Sequence, residues 1–445
     1  MKKEGKKWML VVLALLAVIT GVLPLVGCKN DSVAEPATHT VTFNSNGGTG
    51  TMNPQSFTAG MEQELAANAF ERKNYTFVGW SEDSEATSAT YGDKAKFTAI
   101  KDTTLYAVWE PLCLTFTSDS STALITTFNN IDVPTGMEYS TDGREWSKFT
   151  NPQQEIQFGN GTKLYLRGKS STGTATSIND YVNFTFTEST EVSASGDIRT
   201  LVDWNDPVNA DTSNVRFCNL FKNCTQLVTA PELPATRLAD LCYRSMFSGC
   251  RGLKTAPTEL PAKKLAESCY SYMFYGCTSL KTAPELPATT LAERCYNYMF
   301  SDCTGLTTAP TELPAMTLTL AESCYNHMFS GCTSLETAPE LPATTLAEAC
   351  YMGMFSGCRG LKTAPELPAE TLATDCYYMM FDGCTNLASV TMLATNVSAS
   401  YALGDWLRGT AENGTLTVAS GMEKNEKIKN SLPSGKNWTV VAKTN

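Results

Sequence analysis

Leu291-Ala292-Glu293-Arg294-Cys295-Tyr296-Asn297-Tyr298-Met299-Phe300-Ser301-Asp302-Cys303-Thr304-Gly305-Leu306, followed by Ala309-Pro310 and Leu313-Pro314, is one copy of a frame that recurs through the second half of this chain. Its phenylalanine returns at Phe221, Phe247, Phe274, Phe300, Phe329, Phe355 and Phe381, at spacings of 26, 27, 26, 29, 26 and 26 residues. The longer spacings come from an extra Thr258, an extra Thr311 and an added pair near Met316 to Leu320. A period in the twenties marks a solenoid, whose units bury their apolar faces only by stacking on one another.

Within each coil, Leu291, Cys295 and Met299 lie four apart, with Tyr296 and Phe300 as a neighbouring stripe, a spacing that predicts a short amphipathic helix. The Gly or Asp before the second cysteine ends that helix, and Cys303, Leu306 and Ala309 then fit a brief extended segment. Pro310 and Pro314 stop it, and since proline cannot donate to a ladder, the sheet is expected to be very short. This predicts an α/β leucine-rich-repeat-like solenoid over residues 192–393, about seven coils of 26 residues, closed by a C-terminal cap at 394–445 that breaks the period and carries Trp406 and Trp438. The frame resembles the BspA-type leucine-rich repeats of bacterial surface proteins, departing from them by Ala-Pro where a β-branched residue is usual. That resemblance implies adhesion: binding of host matrix proteins, other bacteria or immune receptors.

Thirteen of the 16 cysteines fall in two columns, Cys242, Cys269, Cys295, Cys324, Cys350 and Cys376 in one, and Cys224, Cys250, Cys277, Cys303, Cys332, Cys358 and Cys384 in the other. The two in a coil are eight residues apart, which on a helix is about 12 Å, too far for a disulfide. Buried reduced thiols are the first expectation, and inter-coil staples along a column the alternative that an extracellular location permits. A zinc array lacks both Cys-x-x-Cys and histidine partners.

Outward from the repeats, the N-terminus reads as a lipoprotein signal peptide at 1–27. The basic Lys2-Lys3-Glu4-Gly5-Lys6-Lys7 precedes an apolar run from Trp8 to Leu23 and then Leu25-Val26-Gly27-Cys28, with Cys28 as the lipidated residue. The run of about 20 residues could also span a membrane uncleaved, and Gly21 and Pro24 weaken that reading. Lys29 rather than aspartate follows Cys28, which resembles outer-membrane sorting, so the expected location is the bacterial cell envelope, as an outer-membrane lipoprotein exposed at the surface. Loss of the signal would remove about three positive charges from a chain of net charge -11, a balance that argues against nucleic acid as partner.

After a tether at 28–40, a module at 41–110 alternates in Val41-Thr42-Phe43-Asn44-Ser45-Asn46-Gly47-Gly48, Tyr75-Thr76-Phe77-Val78-Gly79-Trp80 and Thr104-Leu105-Tyr106-Ala107-Val108-Trp109. Asn46-Gly47 supplies the positive backbone angles of a tight turn. These residues resemble the Listeria-Bacteroides repeat, also called the internalin B-repeat, although Lys73-Asn74 stands where that family usually has glycine. The resemblance implies a β-grasp-like domain serving as spacer or weak ligand-binding unit. A module at 112–190 reads as β-sandwich-like, with a hairpin turning at Asp142-Gly143 that places Tyr139 and Trp146 either as a sugar-stacking platform or as a cross-strand aromatic pair.

The chain holds only His39 and His327, and no Gly-x-Ser-x-Gly, His-Glu-x-x-His or phosphate-loop pattern. Glu285, Glu340 and Glu366 recur with the Pro-Glu-Leu-Pro frame and read as surface charge. No enzyme activity, metal site or cofactor is expected. The expected function is an adhesin-like surface lipoprotein whose solenoid binds host matrix proteins, mucins or other bacterial surfaces, with a glycan-binding accessory lipoprotein of a nutrient-uptake system as the alternative. The candidate binding positions are Lys254, Lys281, Glu336 and Lys362 beside the inward leucines, and Tyr272, Tyr298 and Tyr378 on the helical side.

Overall fold

The computed structural model describes residues 35–150, 153–187, 190–316 and 321–444. The segment expected as a signal peptide, residues 1–27, and Cys28 lie outside the described residues.

The first module is a four-stranded sheet in the order Gln55–Thr58, Thr38–Asn44, Thr103–Pro111, Tyr75–Ser81, with the central pair parallel. Asn46 and Gly47 both take positive φ (46° and 87°) and Gly48 N–H donates to Ser45 C=O at 2.9 Å, the two left-handed central residues a type I′ turn requires. Asn74 stands where the family's glycine would, and it adopts φ 62°, which asparagine tolerates better than most residues. Its side chain donates to the Trp204 carbonyl at 2.8 Å, and Tyr75 packs edge-on against Trp204 at 5.9 Å, so this turn also locks the module to the next.

The second module has two sheets. Gln153–Phe158, Thr122–Asn129 and Tyr181–Phe186 form one. The other runs through six strands from Ser147–Lys148 to Leu227–Thr229, and its last pair, Val192–Ser195 with Leu227–Thr229, is parallel. That pairing hands the sheet over to the solenoid, and one continuous core extends from Leu114 to Trp438. The expected Tyr139–Trp146 pair does not form. Tyr139 packs edge-on against Phe149 at 5.2 Å, while Trp146 lies under the Arg167 guanidinium at 3.8 Å and beside Trp204.

Among the described residues the coils hold no α-helix, and two short 3-10 turns, Ile198–Leu201 and Pro207–Asn209, precede the first turn run, which corrects the α/β expectation. From Arg294 to Cys303 the chain is a run of four-residue turns. Cys295, Asn297, Met299, Ser301 and Cys303 each donate N–H to the carbonyl three residues back, at 3.1–3.3 Å. The amides between them, on Arg294, Tyr296, Tyr298, Phe300 and Asp302, donate across to Glu322, Cys324, Asn326, Met328 and Ser330 of the next coil at 2.7–3.0 Å. The turns closed by Cys295, Met299 and Cys303 have their third residue in the left-handed region, at Arg294 (φ 53°), Tyr298 (φ 54°) and Asp302 (φ 60°), as a type II turn demands, and the two turns between them begin on such a residue. The same three columns recur as Ser268, Tyr272 and Gly276, as Ser323, His327 and Gly331, and as Ala349, Gly353 and Gly357.

Two adjacent residues in four therefore point inward, and the period is 4.0 rather than 3.6. An α-helix advances about 100° per residue, so a strict four-residue spacing would drift about 40° at each step and carry Cys303 off the face of Leu291. In the turn run nothing drifts, and Tyr296, Phe300 and Met299 are at most 1 % exposed. The phenylalanines stack coil on coil, from Phe221 to Phe381, with centroids 5.4–5.8 Å apart and planes within 2–8°. The tyrosines from Tyr243 to Tyr377 form a second stack at 5.5–6.2 Å. Offset ring pairs of this kind add roughly 0.5–1.5 kcal/mol each beyond area burial.

On the opposite side of each coil, single parallel bridges replace a continuous strand: Thr229 with Thr255, Thr282 with Thr308, Thr337 with Thr363, and Glu259 with Glu285. The prolines sit between these bridge points and have no N–H to contribute to a ladder. A four-stranded parallel sheet follows, in the order Thr363–Leu367, Ser389–Met392, Asn413–Val418 and Asn437–Ala442; its first strand still holds Ala364-Pro365 and pairs with a register shift, and the three strands after Leu367-Pro368 pair with unbroken register. The solenoid thus runs on through the segment expected as an aperiodic cap, with Tyr401, Asp405 and Gly409 repeating the left-handed columns and only Glu426–Asn430 forming a helix.

Gly353→Ala separates the two backbones. Mid-helix, alanine would stabilise by about 1 kcal/mol. At φ 58°, with a Cβ placed 2.5 Å from His327 Nε2, it is expected to destabilise by about 1–2 kcal/mol, read as a lower thermal midpoint.

Candidate functional site

The turn runs set an ordered outer surface, because the left-handed aromatic residues of the middle column are part-exposed and in register with the same position one coil on. In the middle column this brings Tyr272, Tyr298 and His327 together. Their rings stack at 4.9 and 4.7 Å with planes within 3–4°. At one end Arg244 places its guanidinium 5.2 Å over the Tyr272 ring, and at the other Gly353 leaves room for the face of His327. Bulky residues seldom take positive φ, and the three aromatics in this column do so at 53–58°. The ladder's ring faces are therefore occupied by each other, and the three residues are part-exposed. His327 Nδ1 lies 2.6 Å from Asn326 Oδ1, which fixes the ring's rotation. Burial holds His327 below its ordinary range, so the imidazole is neutral at pH 7.

Tyr378, grouped with Tyr272 and Tyr298 in the sequence, falls in another column. Met379 occupies the ladder position, and the Tyr378 ring covers Gly404, whose added Cβ would lie 2.8 Å from Cδ2. His327 and Arg244 were missed by sequence reasoning, although counting 29 residues on from Tyr298 lands on the histidine.

Lys254, Lys281, Glu336 and Lys362 lie exposed beside the inward leucines. Lys254 pairs with Glu191, and Lys362 Nζ lies 3.4 Å from Glu336 Oε2, with both side chains 69 % exposed. Exposed pairs of this kind contribute about 0–1 kcal/mol, so these groups are free to exchange partners. Glu366 pairs with Lys443 at 2.7 Å.

The cysteines line the core. All fifteen among the described residues are buried and free. With turns in place of a helix, the sequence argument from helical rise no longer governs their spacing, and their chemistry is set by burial. Desolvation pushes Cys224, Cys295 and Cys303 up to about 12, and Cys250, Cys277 and Cys332 well above the usual thiol range. One column also donates to the main chain: Cys303 Sγ reaches the Phe274 carbonyl of the preceding coil at 3.0 Å, and Cys250, Cys277, Cys332, Cys358 and Cys384 repeat that contact at 2.9–3.1 Å. Among the described residues no group of three or more His, Cys, Asp or Glu is placed to hold a metal ion, and no helix is long and apolar enough to cross a membrane.

Stacked coils with in-register outer columns define a repeat protein of the solenoid class. Residues 218–338 and 317–402 match the family model of the BspA type leucine rich repeat region, in six copies, and residues 39–108 match that of the Listeria-Bacteroides repeat domain. The chain therefore joins a Listeria-Bacteroides repeat to BspA-type leucine-rich repeats. Among solved structures, a leucine-rich repeat protein from Bacteroides ovatus ATCC 8483 is similar at 18% identity and a TM-score of 0.25, over 52% of this chain and 60% of that one. No curated protein matches the chain.

Two measurements check this chemistry. In native protein at pH 8, a thiol at about 12 is ionised in roughly one molecule in ten thousand. A thiol-specific reagent is therefore expected to leave the columns untouched, whereas in denaturant without reductant all fifteen react; few reactive thiols there would mean inter-coil disulfides. For His327, the folded value lies below the unfolded 6.5, so the unfolded chain takes up the proton first. The thermal midpoint is expected to fall as pH drops through about 6.5, and His327→Gln is expected to flatten that slope.

Proposed function

We propose that this protein is a non-enzymatic, lipid-anchored surface protein that binds macromolecules of a host or of other bacteria through its solenoid. The observation that carries this reading is the Tyr272–Tyr298–His327 ladder with Arg244 at its end. Four side chains from four consecutive coils present aromatic edges and a cation on one surface, and Tyr and Arg are the residue types on which protein interfaces concentrate their binding energy. A rigid stack loses little side-chain entropy on binding, which favours affinity.

The geometry supports a protein ligand over a pyranose ring at this position. A sugar stacks on an open aromatic face, and here the faces are covered by neighbouring rings, Arg244 and Gly353. The lysine and glutamate positions on the bridge side, Lys254, Lys281, Glu336 and Lys362, add exchangeable charge that would tune association rate and partner choice. Attachment at Cys28 and display beyond the outer membrane complete the reading, with the Listeria-Bacteroides repeat as a spacer rigidly joined through Asn74 and Tyr75.

Purified chain beginning at Lys29, presented to immobilised host matrix proteins, mucins and a glycan array, tests it. Saturable binding to a protein or mucin is expected, weakened at least tenfold by Tyr272→Ala with Tyr298→Ala. Absence of saturable binding, or binding that survives both substitutions, would remove the ladder from the site.

A further inference from the structure

The last turn run, from Tyr401 to Gly409, ends the amide ladder in a way no earlier run does. In the coil before it, Asp375, Tyr377, Met379, Phe381 and Gly383 donate to the carbonyls of Ser400, Ala402, Gly404, Trp406 and Arg408 at 2.7–3.2 Å. The equivalent amides one coil on belong to Tyr401, Leu403, Asp405, Leu407 and Gly409, and among the described residues none of them donates to a protein acceptor. The cause is a break in the repeat. Where the next turn run would lie, the chain forms the helix Glu426–Asn430, anchored by the fully buried Ile428 and by Trp406 Nε1 donating to Ser431 Oγ at 3.0 Å.

Between the run and this helix lies an open cleft of about 530 Å³. Leu403, Asp405 and Gly409 line one wall, and Lys427, Asn430 and Ser434 the other. Tyr401, 74 % exposed, stands at its edge. The volume falls within the range of ligand-binding clefts, about 300–1,000 Å³.

We infer that this cleft binds an extended polypeptide segment of a partner protein, whose backbone carbonyls take the place of the missing coil. The donors occur at every second residue, the period at which carbonyls line one edge of an extended chain. Every earlier junction of the solenoid satisfies the same row with polypeptide carbonyls, whereas a saccharide offers no acceptor row of that period. An unpaired row of this kind is the turn-run counterpart of a sheet edge that recruits a strand. The Lys427 ammonium donates to the Ser398 carbonyl at 2.9 Å and has donors to spare, so a segment carrying a carboxylate side chain is favoured. This site goes beyond the ring ladder and does not depend on it, since different residues at a different place in the solenoid form each.

The chain beginning at Lys29 is panned against a displayed library of random dodecapeptides, and the most enriched sequence is made as a free peptide. Enriched peptides are expected to carry Asp or Glu. Saturation is expected to slow amide exchange at Leu403, Asp405 and Gly409 at least tenfold. Lys427→Glu and Ser434→Trp are each expected to weaken binding at least tenfold, with Lys148→Glu, far from the cleft, within twofold of the parent. Three results would overturn the inference: no enriched peptide; a peptide whose protected amides lie elsewhere or that ignores both cleft substitutions; or protection of these amides that rises with protein concentration alone, which would assign the cleft to a second copy. The ladder variants read a different ligand, so either site can fail without the other.

Discussion

The structure depends on how each coil divides its amides. In a turn run, alternate N–H groups close a four-residue turn within the coil, and the others cross to the next coil. From Arg294 to Cys303 every backbone amide is used by one of these two rules, so no main-chain N–H is left unpaired even though there is neither helix nor continuous strand. The arrangement requires a left-handed residue every fourth position. It also requires the inward pairs to repeat without drift, and from those two conditions the stacked rings, the thiol columns and the outer ladder all follow.

Much of this was legible in the sequence. The period, the inward Cys, Tyr, Met and Phe columns, and the interruption of the sheet by proline were all readable from spacing. The turn run was not, because i, i+4 spacing is shared by a helix and by successive four-residue turns over a short window. Two signals separated them in principle: Leu291, Cys295, Met299 and Cys303 keep a strict four-residue spacing longer than a helix can hold on one face, and glycine recurs at Gly249, Gly276, Gly331, Gly357 and Gly383, all at positive φ. Propensity hid the rest, since Tyr298 and Arg294 are residues that no turn rule places in the left-handed region. Neighbouring coils impose that conformation on them.

The candidate surface was less legible than the core. Tyr272 and Tyr298 were found as outward aromatics, but their partnership with His327 and Arg244 needed the register between coils. Tyr378 looked equivalent by residue type and stands one position off the ladder. The cleft beside Tyr401 was invisible to periodicity, because it arises where the period stops. Breaks in a repeat thus carry information that its regular copies do not: a regular junction is already filled by its neighbour, and only an interrupted one leaves donors for a ligand.

Through-hydrogen-bond scalar couplings in deuterated, isotopically labelled protein report the cross-coil amide ladder bond by bond. A coupling from the Tyr298 amide nitrogen to the Asn326 carbonyl carbon, and from Phe300 to Met328, is the predicted result. Couplings from those amides to carbonyls four residues back in their own coil would rule out the ladder and restore the helix.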